Sequence, residues 1–196
     1  MKKITTLFKK NPEDLGRVIN ELNPENTWVL ENGIATRKFD GTSCAIFQGE
    51  LFKRYDARIN KKTGNYKKPI PENAIPCQEA DFKSGHHPHW IACDRNNKAD
   101  QYHFQAFDLL ENKIDGTYEL CGEKVQSNPE NIIGHQLIKH GSEVLEIHDL
   151  SYEGIQEFLS QNDIEGIVFI NPETEDMCKI RQSDFGLKRK EKEVLI

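Results

Sequence analysis

Short apolar runs broken by polar residues dominate the middle of the chain. From Ile34 to Arg54 they predict two or three strands. Ala45-Ile46-Phe47 runs into Gln48-Gly49 and resumes at Leu51-Phe52, the pattern of a β-hairpin. Ile167–Ile170 and Met177–Arg181 form a second hairpin pair, with Asn171-Pro172 opening the connection. Trp28-Val29-Leu30, Thr117–Cys121 after the Asp115-Gly116 turn, and Val144–Ile147 also read as extended. Helical spacing is rarer. Leu15, Val18, Ile19 and Leu22 form a stripe behind Asn11-Pro12-Glu13-Asp14, where Asn11 suits an N-cap and Pro12 a first helical position. This predicts a helical lead-in over residues 1–24. Ala99–Leu110 carries Phe104, Phe107 and Leu110 on one face. Ile132–His140 reads as a helix stopped by Gly141, and Ser151 suits the cap of a helix through Leu159. Residues 59–89, rich in Lys, Pro, Gly and His, read as loop. Strands outnumber helices and hairpins join them, so the expected class is α+β with mainly antiparallel sheets and flanking helices.

The 196 residues, 30% charged and 36% apolar, predict one folded domain over 1–196 rather than a disordered chain. No apolar run approaches the ~20 residues of a membrane span. Met1-Lys2-Lys3 has a basic head, but Lys9 and Lys10 interrupt any apolar core of a signal peptide. Five cysteines without a CxxC fit reduced thiols and a cytoplasmic location. The net charge of −6 argues against a nucleic-acid binder, but it is unevenly spread. Residues 53–68 carry a net +6, residues 70–178 a net −15 and residues 179–196 a net +3, the last including a basic tail over 188–196. The two basic stretches read either as solvated loops or as positive lips around one phosphate-handling site.

The sharpest local feature is Lys38-Phe39-Asp40-Gly41-Thr42 between two extended stretches. A lysine at a strand end before a tight Asp-Gly turn sets an amine beside a carboxylate, although a plain surface turn has the same pattern. Further segments follow in order: Phe52-Lys53-Arg54-Tyr55-Asp56-Ala57-Arg58, Tyr118-Glu119-Leu120-Cys121-Gly122, Glu165-Gly166-Ile167-Val168-Phe169 and Cys178-Lys179-Ile180-Arg181.

This ordered set resembles motifs I, Ia, III, IV and V of the covalent nucleotidyltransferases, the superfamily of ATP-dependent ligases and capping enzymes. Ser43 stands where DNA ligases usually carry arginine. Asp115–Gly122 and Asp184-Phe185-Gly186-Leu187 are similar to stretches of a small RNA ligase family found in vertebrates, viruses and bacteria. The resemblance spans roughly residues 28–190. Arg189 departs from it, standing where that family often has tryptophan. The resemblance implies an ATP-grasp-like ligase adenylation (nucleotidyltransferase) domain, expected here without an OB-fold.

It also implies an RNA ligase (ATP) of RNA repair, joining 5′-phosphate and 3′-hydroxyl RNA ends with ATP as co-substrate and Mg²⁺ or Mn²⁺. Lys38 would be the nucleophile, forming a lysyl-AMP intermediate, and Lys179 and Arg181 would hold the α-phosphate. A lysine amine attacks only in its neutral form, which neighbouring cations favour. Glu165 would bind the metal, and Glu119 the ribose or the metal. Asp40, with Gly41 in its turn, would orient the lysine or a metal-bound water. Arg58 and Arg54 would contact the triphosphate or ribose. Phe169 is the candidate for stacking on adenine, and backbone groups at Thr36 and Arg37 for reading its edge. A DNA-strand ligase, another adenylyltransferase or a non-catalytic nucleotide- or RNA-binding module are the alternatives. His86-His87-Pro88-His89 with Cys77 and Cys93 invites a zinc reading, but the spacing matches no standard zinc pattern.

Overall fold

A computed structural model describes residues 4–189. Along the chain run β1 (Thr5–Thr6), β2 (Phe8–Lys10), β3 (Val18–Leu22), α1 (Val29–Asn32), β4 (Ile34–Lys38), β5 (Thr42–Phe47) and β6 (Glu50–Arg58). Then come β7 (Ile75–Pro76), β8 (His86–Ala92), α2 (Gln101–Asp108), β9 (Gly116–Gly122) and β10 (His135–Lys139). The last elements are α3 (Tyr152–Gln161), β11 (Gly166–Ile170) and β12 (Met177–Arg181). The class is α+β, and nearly all strand pairs are antiparallel, β1 with β12 being parallel. The chain, expected as one domain, divides into two compact units. A central unit holds Asp40–His140, and a terminal unit holds Ile4–Phe39 together with the chain from Gly141 onward. No described helix is long and apolar enough to cross a membrane.

The terminal unit is built on a sheet of order β1-β12-β11-β4, with β2 and β3 as a separate pair. Strict alternation in β11 and β12 sends Ile167, Phe169, Cys178 and Ile180 to one face, where each is fully buried. Ile155 and Leu159, four residues apart on α3, pack on that face with Leu7, Phe8 and Val29. Each such side chain contributes about 1.5–3 kcal/mol by leaving water. Ser151 caps α3, accepting the Gly154 N–H at 3.1 Å.

Over the described residues 4–24 the expected helical lead-in is not formed. The segment is the hairpin of β2 and β3, followed by a short 3-10 turn at Pro24–Asn26. Asn11 caps a turn rather than a helix: its side chain accepts the Glu13 N–H, and Asp14 takes the Gly16 N–H. Val18 and Leu22 do face the core, but a spacing of four suits a strand's period of two as well as a helix. Leu15, from the same expected stripe, is exposed. Trp28 precedes the short helix α1 instead of lying in a strand. The strand expected at Val144–Ile147 shrinks to one bridge, Val144 with Thr36 at the β4 edge. Beyond Arg189, the basic tail lies outside the described residues.

The central unit is a six-stranded sheet, β10-β9-β5-β6-β8-β7. Cys44, Ile46, Leu51, Tyr118, Leu120 and Leu137 form its core with Ala106 and Phe107 of α2. The turn between β5 and β6 places Gln48 and Gly49 at φ 50° and 77°, the left-handed pair that two-residue hairpins favour. The helix expected at Ile132–His140 is instead β10, paired along its length with β9. Its burial alternates, with His135 and Leu137 inside, while Ile133 is exposed. At the start of β5, Gly41 is demanded by packing, because a Cβ there would sit 2.2 Å from the Leu120 carbonyl oxygen.

Candidate functional site

The register of the terminal sheet fixes one group of side chains. Lys38 of β4 lies opposite Gly166 of β11, and Gly166 opposite Arg181 of β12. The next row on the same face is Thr36, Val168 and Lys179. Lys38, Lys179 and Arg181 therefore share the face opposite the apolar core. Gly166 leaves the centre of its row without a side chain, and a Cβ there would meet the Ile180 carbonyl oxygen at 2.3 Å.

Glu165, just before β11, forms an ion pair through Oε2 with Lys38 Nζ. Arg181 is anchored by Asp184, whose Oδ2 accepts the Arg181 backbone N–H at 2.9 Å and whose Oδ1 accepts from Nη2 at 3.0 Å. Lys10 Nζ donates to the same Oδ1 at 2.6 Å. Asp184 is wholly buried. Burial raises its pKa, but hydrogen bonds from Arg181 and Lys10 outweigh this and hold it below the usual carboxylate range. The bond to Asp184 in turn raises the Arg181 pKa. The Asp184–Leu187 stretch is thus a clamp. Phe185 packs edge-on against Tyr152, and Gly186 closes the turn at φ 83°.

Lys179 is the most perturbed amine of the group. Burial, then the neighbouring Arg181 and Lys38 cations, lower its pKa from 10.5 to about 8. Titration of its ε-carbon resonance should show a midpoint near 8. Arg181→Gln removes a repelling cation and should raise the midpoint; an unmoved midpoint would assign the shift to burial and Lys38. Between about 8 and 10.5 the unfolded chain holds a proton that folded Lys179 has lost. This group therefore makes stability rise with pH across that window, the opposite of a lysine favoured by a salt bridge.

The central unit carries a second group. Glu119 of β9 is buried, and its Oε2 lies 2.9 Å from His140 Nε2. The other ring nitrogen of His140 is 2.9 Å from Thr117 Oγ1. His140 shows no constellation in the sequence; only the β9–β10 register brings it to a residue 21 positions away. Arg54 lies over the Trp90 ring at 5.0 Å and donates to Cys77 Sγ at 3.4 Å. Arg58 Nε donates to Asp56 Oδ2 at 3.0 Å, and the same oxygen lies 2.5 Å from His86 Nδ1. The Asp40 N–H donates to Glu130 at 3.0 Å. The rings of His87 and His89 pack with centroids 4.2 Å apart, and His87 lies beside Tyr66, but among the described residues the His86–His89 histidines form no metal-holding group of three with Cys77 or Cys93.

The expected adenine readers do not fit. Phe169 is fully buried on the core face of β11, opposite to the face of Lys38, so no base can stack on it as placed. Thr36 is buried and donates its hydroxyl to the Val168 carbonyl at 2.8 Å. The Arg37 N–H is taken by the Glu143 carbonyl at 2.9 Å. The Arg37 side chain lies over Phe39 and pairs with Glu143 at 3.3 Å. Alternation along β4 and β11 decides this, since a one-residue step reverses the face.

Compared with family models and with curated proteins, the chain matches none.

Proposed function

We propose that the chain is an ATP-dependent RNA ligase that works through a Lys38–AMP intermediate. The observation that carries this reading is the face shared by Lys38, Lys179 and Arg181, with Glu165 on the lysine and Gly166 keeping the row open. Two cations beside a lysine suit a reaction in which negative charge builds on an α-phosphate.

In the proposed first step Lys38 Nζ leaves Glu165, gives a proton to solvent and attacks the α-phosphorus of ATP. A P–N bond forms, the bond to the bridging oxygen breaks, and pyrophosphate departs. Lys179 and Arg181 would hold the non-bridging oxygens, Arg181 being kept in place by Asp184. The AMP then passes to an RNA 5′-phosphate, and a 3′-hydroxyl displaces it, leaving a phosphodiester and AMP. The Glu165 carboxylate, an oxygen donor now neutralised by an ammonium, fits a hard divalent cation. Mg²⁺ or Mn²⁺, when bound, would neutralise phosphate charge. Glu119, the second expected metal or ribose ligand, is shared with His140.

The test is to incubate the protein with ATP labelled at the α-phosphate and Mg²⁺ or Mn²⁺, then denature it. A phosphoramidate is acid-labile and alkali-stable, so the expected label is lost in acid and retained in base. Adding 5′-phosphorylated RNA should chase it into RNA. Absence of label with both metals would overturn the reading and favour a nucleotide-binding module.

A further inference from the structure

We propose that Cys93, Asp100 and His103 of the central unit form a binding site for a zinc-class divalent cation. Their ligand atoms lie within 4.8 Å of one another. Cys93 directly follows β8, Asp100 precedes α2, and His103 is three residues further, on the same helical face. A tetrahedral ion with bonds of about 2.0–2.3 Å spaces its ligands roughly 3.3–3.8 Å apart. Shifts of about an ångström would therefore close the site.

The state of these groups favours a ligand. Both ring nitrogens of His103 are sealed from solvent, with no hydrogen-bond partner among the described residues. An unpaired buried polar group is destabilising, and a metal bond to one nitrogen would offset this. Asp100 is almost wholly buried, and its Oδ2 is oriented by the Asp94 N–H at 3.0 Å. Its Oδ1 carries Lys53 Nζ at 2.5 Å, so this carboxylate already holds a cation. Lys53 sits on β6 with a partly exposed side chain and can swing into solvent when a metal takes its place. Thiolate, imidazole and carboxylate together select zinc or cobalt over magnesium. The site is thus separate in chemistry from Glu165. Binding would convert the Cys93 thiol to thiolate, release its proton to solvent and leave a fourth position for water. It would also tie the end of β8 to α2.

Cobalt titration of the reduced, metal-free chain tests this. The expected result is a thiolate-to-cobalt charge-transfer band with visible tetrahedral bands, saturating near one equivalent and bleached by zinc. Cys93→Ser should lose the charge-transfer band, whereas Cys77→Ser should keep it. Lys53→Met removes the competing cation and should bind cobalt about tenfold more tightly. Zinc should raise the Tm of the unaltered chain, a measurement that needs no variant to fold. No charge-transfer band, a band that survives Cys93→Ser, or a Tm unmoved by zinc would each overturn the proposal.

Discussion

Lys38→Arg is expected to abolish acid-labile labelling by ATP while leaving the fold intact. The substitution separates charge from chemistry. A guanidinium can still pair with Glu165 at the end of β4, but it stays protonated and offers no free amine. Lys38→Ala should lose the label too, while also leaving Glu165 without its ammonium. The pair is only partly sheltered, each side chain being about one-fifth exposed, so the stability change should stay within about 1 kcal/mol. Urea unfolding checks that the folded state persists. The experiment also settles a rivalry that the structure raises. Lys179 shares the face of Lys38 and releases its proton at about 8. Label that persists in Lys38→Arg and vanishes in Lys179→Arg would move the nucleophile to Lys179. Under the proposed reading, Lys179→Arg keeps a cation on the phosphate and retains part of the labelling.

This face was legible in the sequence because it depends on a period of two. Alternation over 167–170 and 177–181 predicts the hairpin, and Lys179 and Arg181 then fall on one side with no further information. The Gln48-Gly49 turn, the Ser151 cap and the helix near Ala99–Leu110 were equally local signals. What failed had two compatible periods. Val18 and Leu22 are four apart, as are Ile133 and Leu137, and both pairs proved to lie in or beside strands. Pairings not closed by a short hairpin were not readable at all. His140 meets Glu119 only through β10, which the sequence presents as a helix. Phe169 shows the reverse error: an aromatic residue in a motif looks available until register assigns it to the core.

Asp184→Ala should cost about 3–5 kcal/mol of stability, the effect expected when one partner of a buried charge network is removed. Asp184 is fully buried and serves the Lys10 ammonium, the Arg181 guanidinium and the Arg181 backbone N–H together. The variant strands two cations and an amide. Its folded pKa lies below the unfolded value, so its contribution is present above about pH 4 and is lost as pH falls through the folded pKa. The stability gap between the unaltered chain and the variant, read from urea midpoints at a constant slope, should therefore narrow on acidification. A gap that stays constant from neutral to acid pH would show that packing, not charge, is what Asp184 supplies. Asp184→Asn keeps the shape and one acceptor, and should fall between the two. Arg181 loses its anchor in both variants, so labelling should drop even at pH values where the protein remains folded. Raising the ATP concentration should then restore part of it, because a loosened guanidinium still carries its charge but must be positioned at the moment of binding.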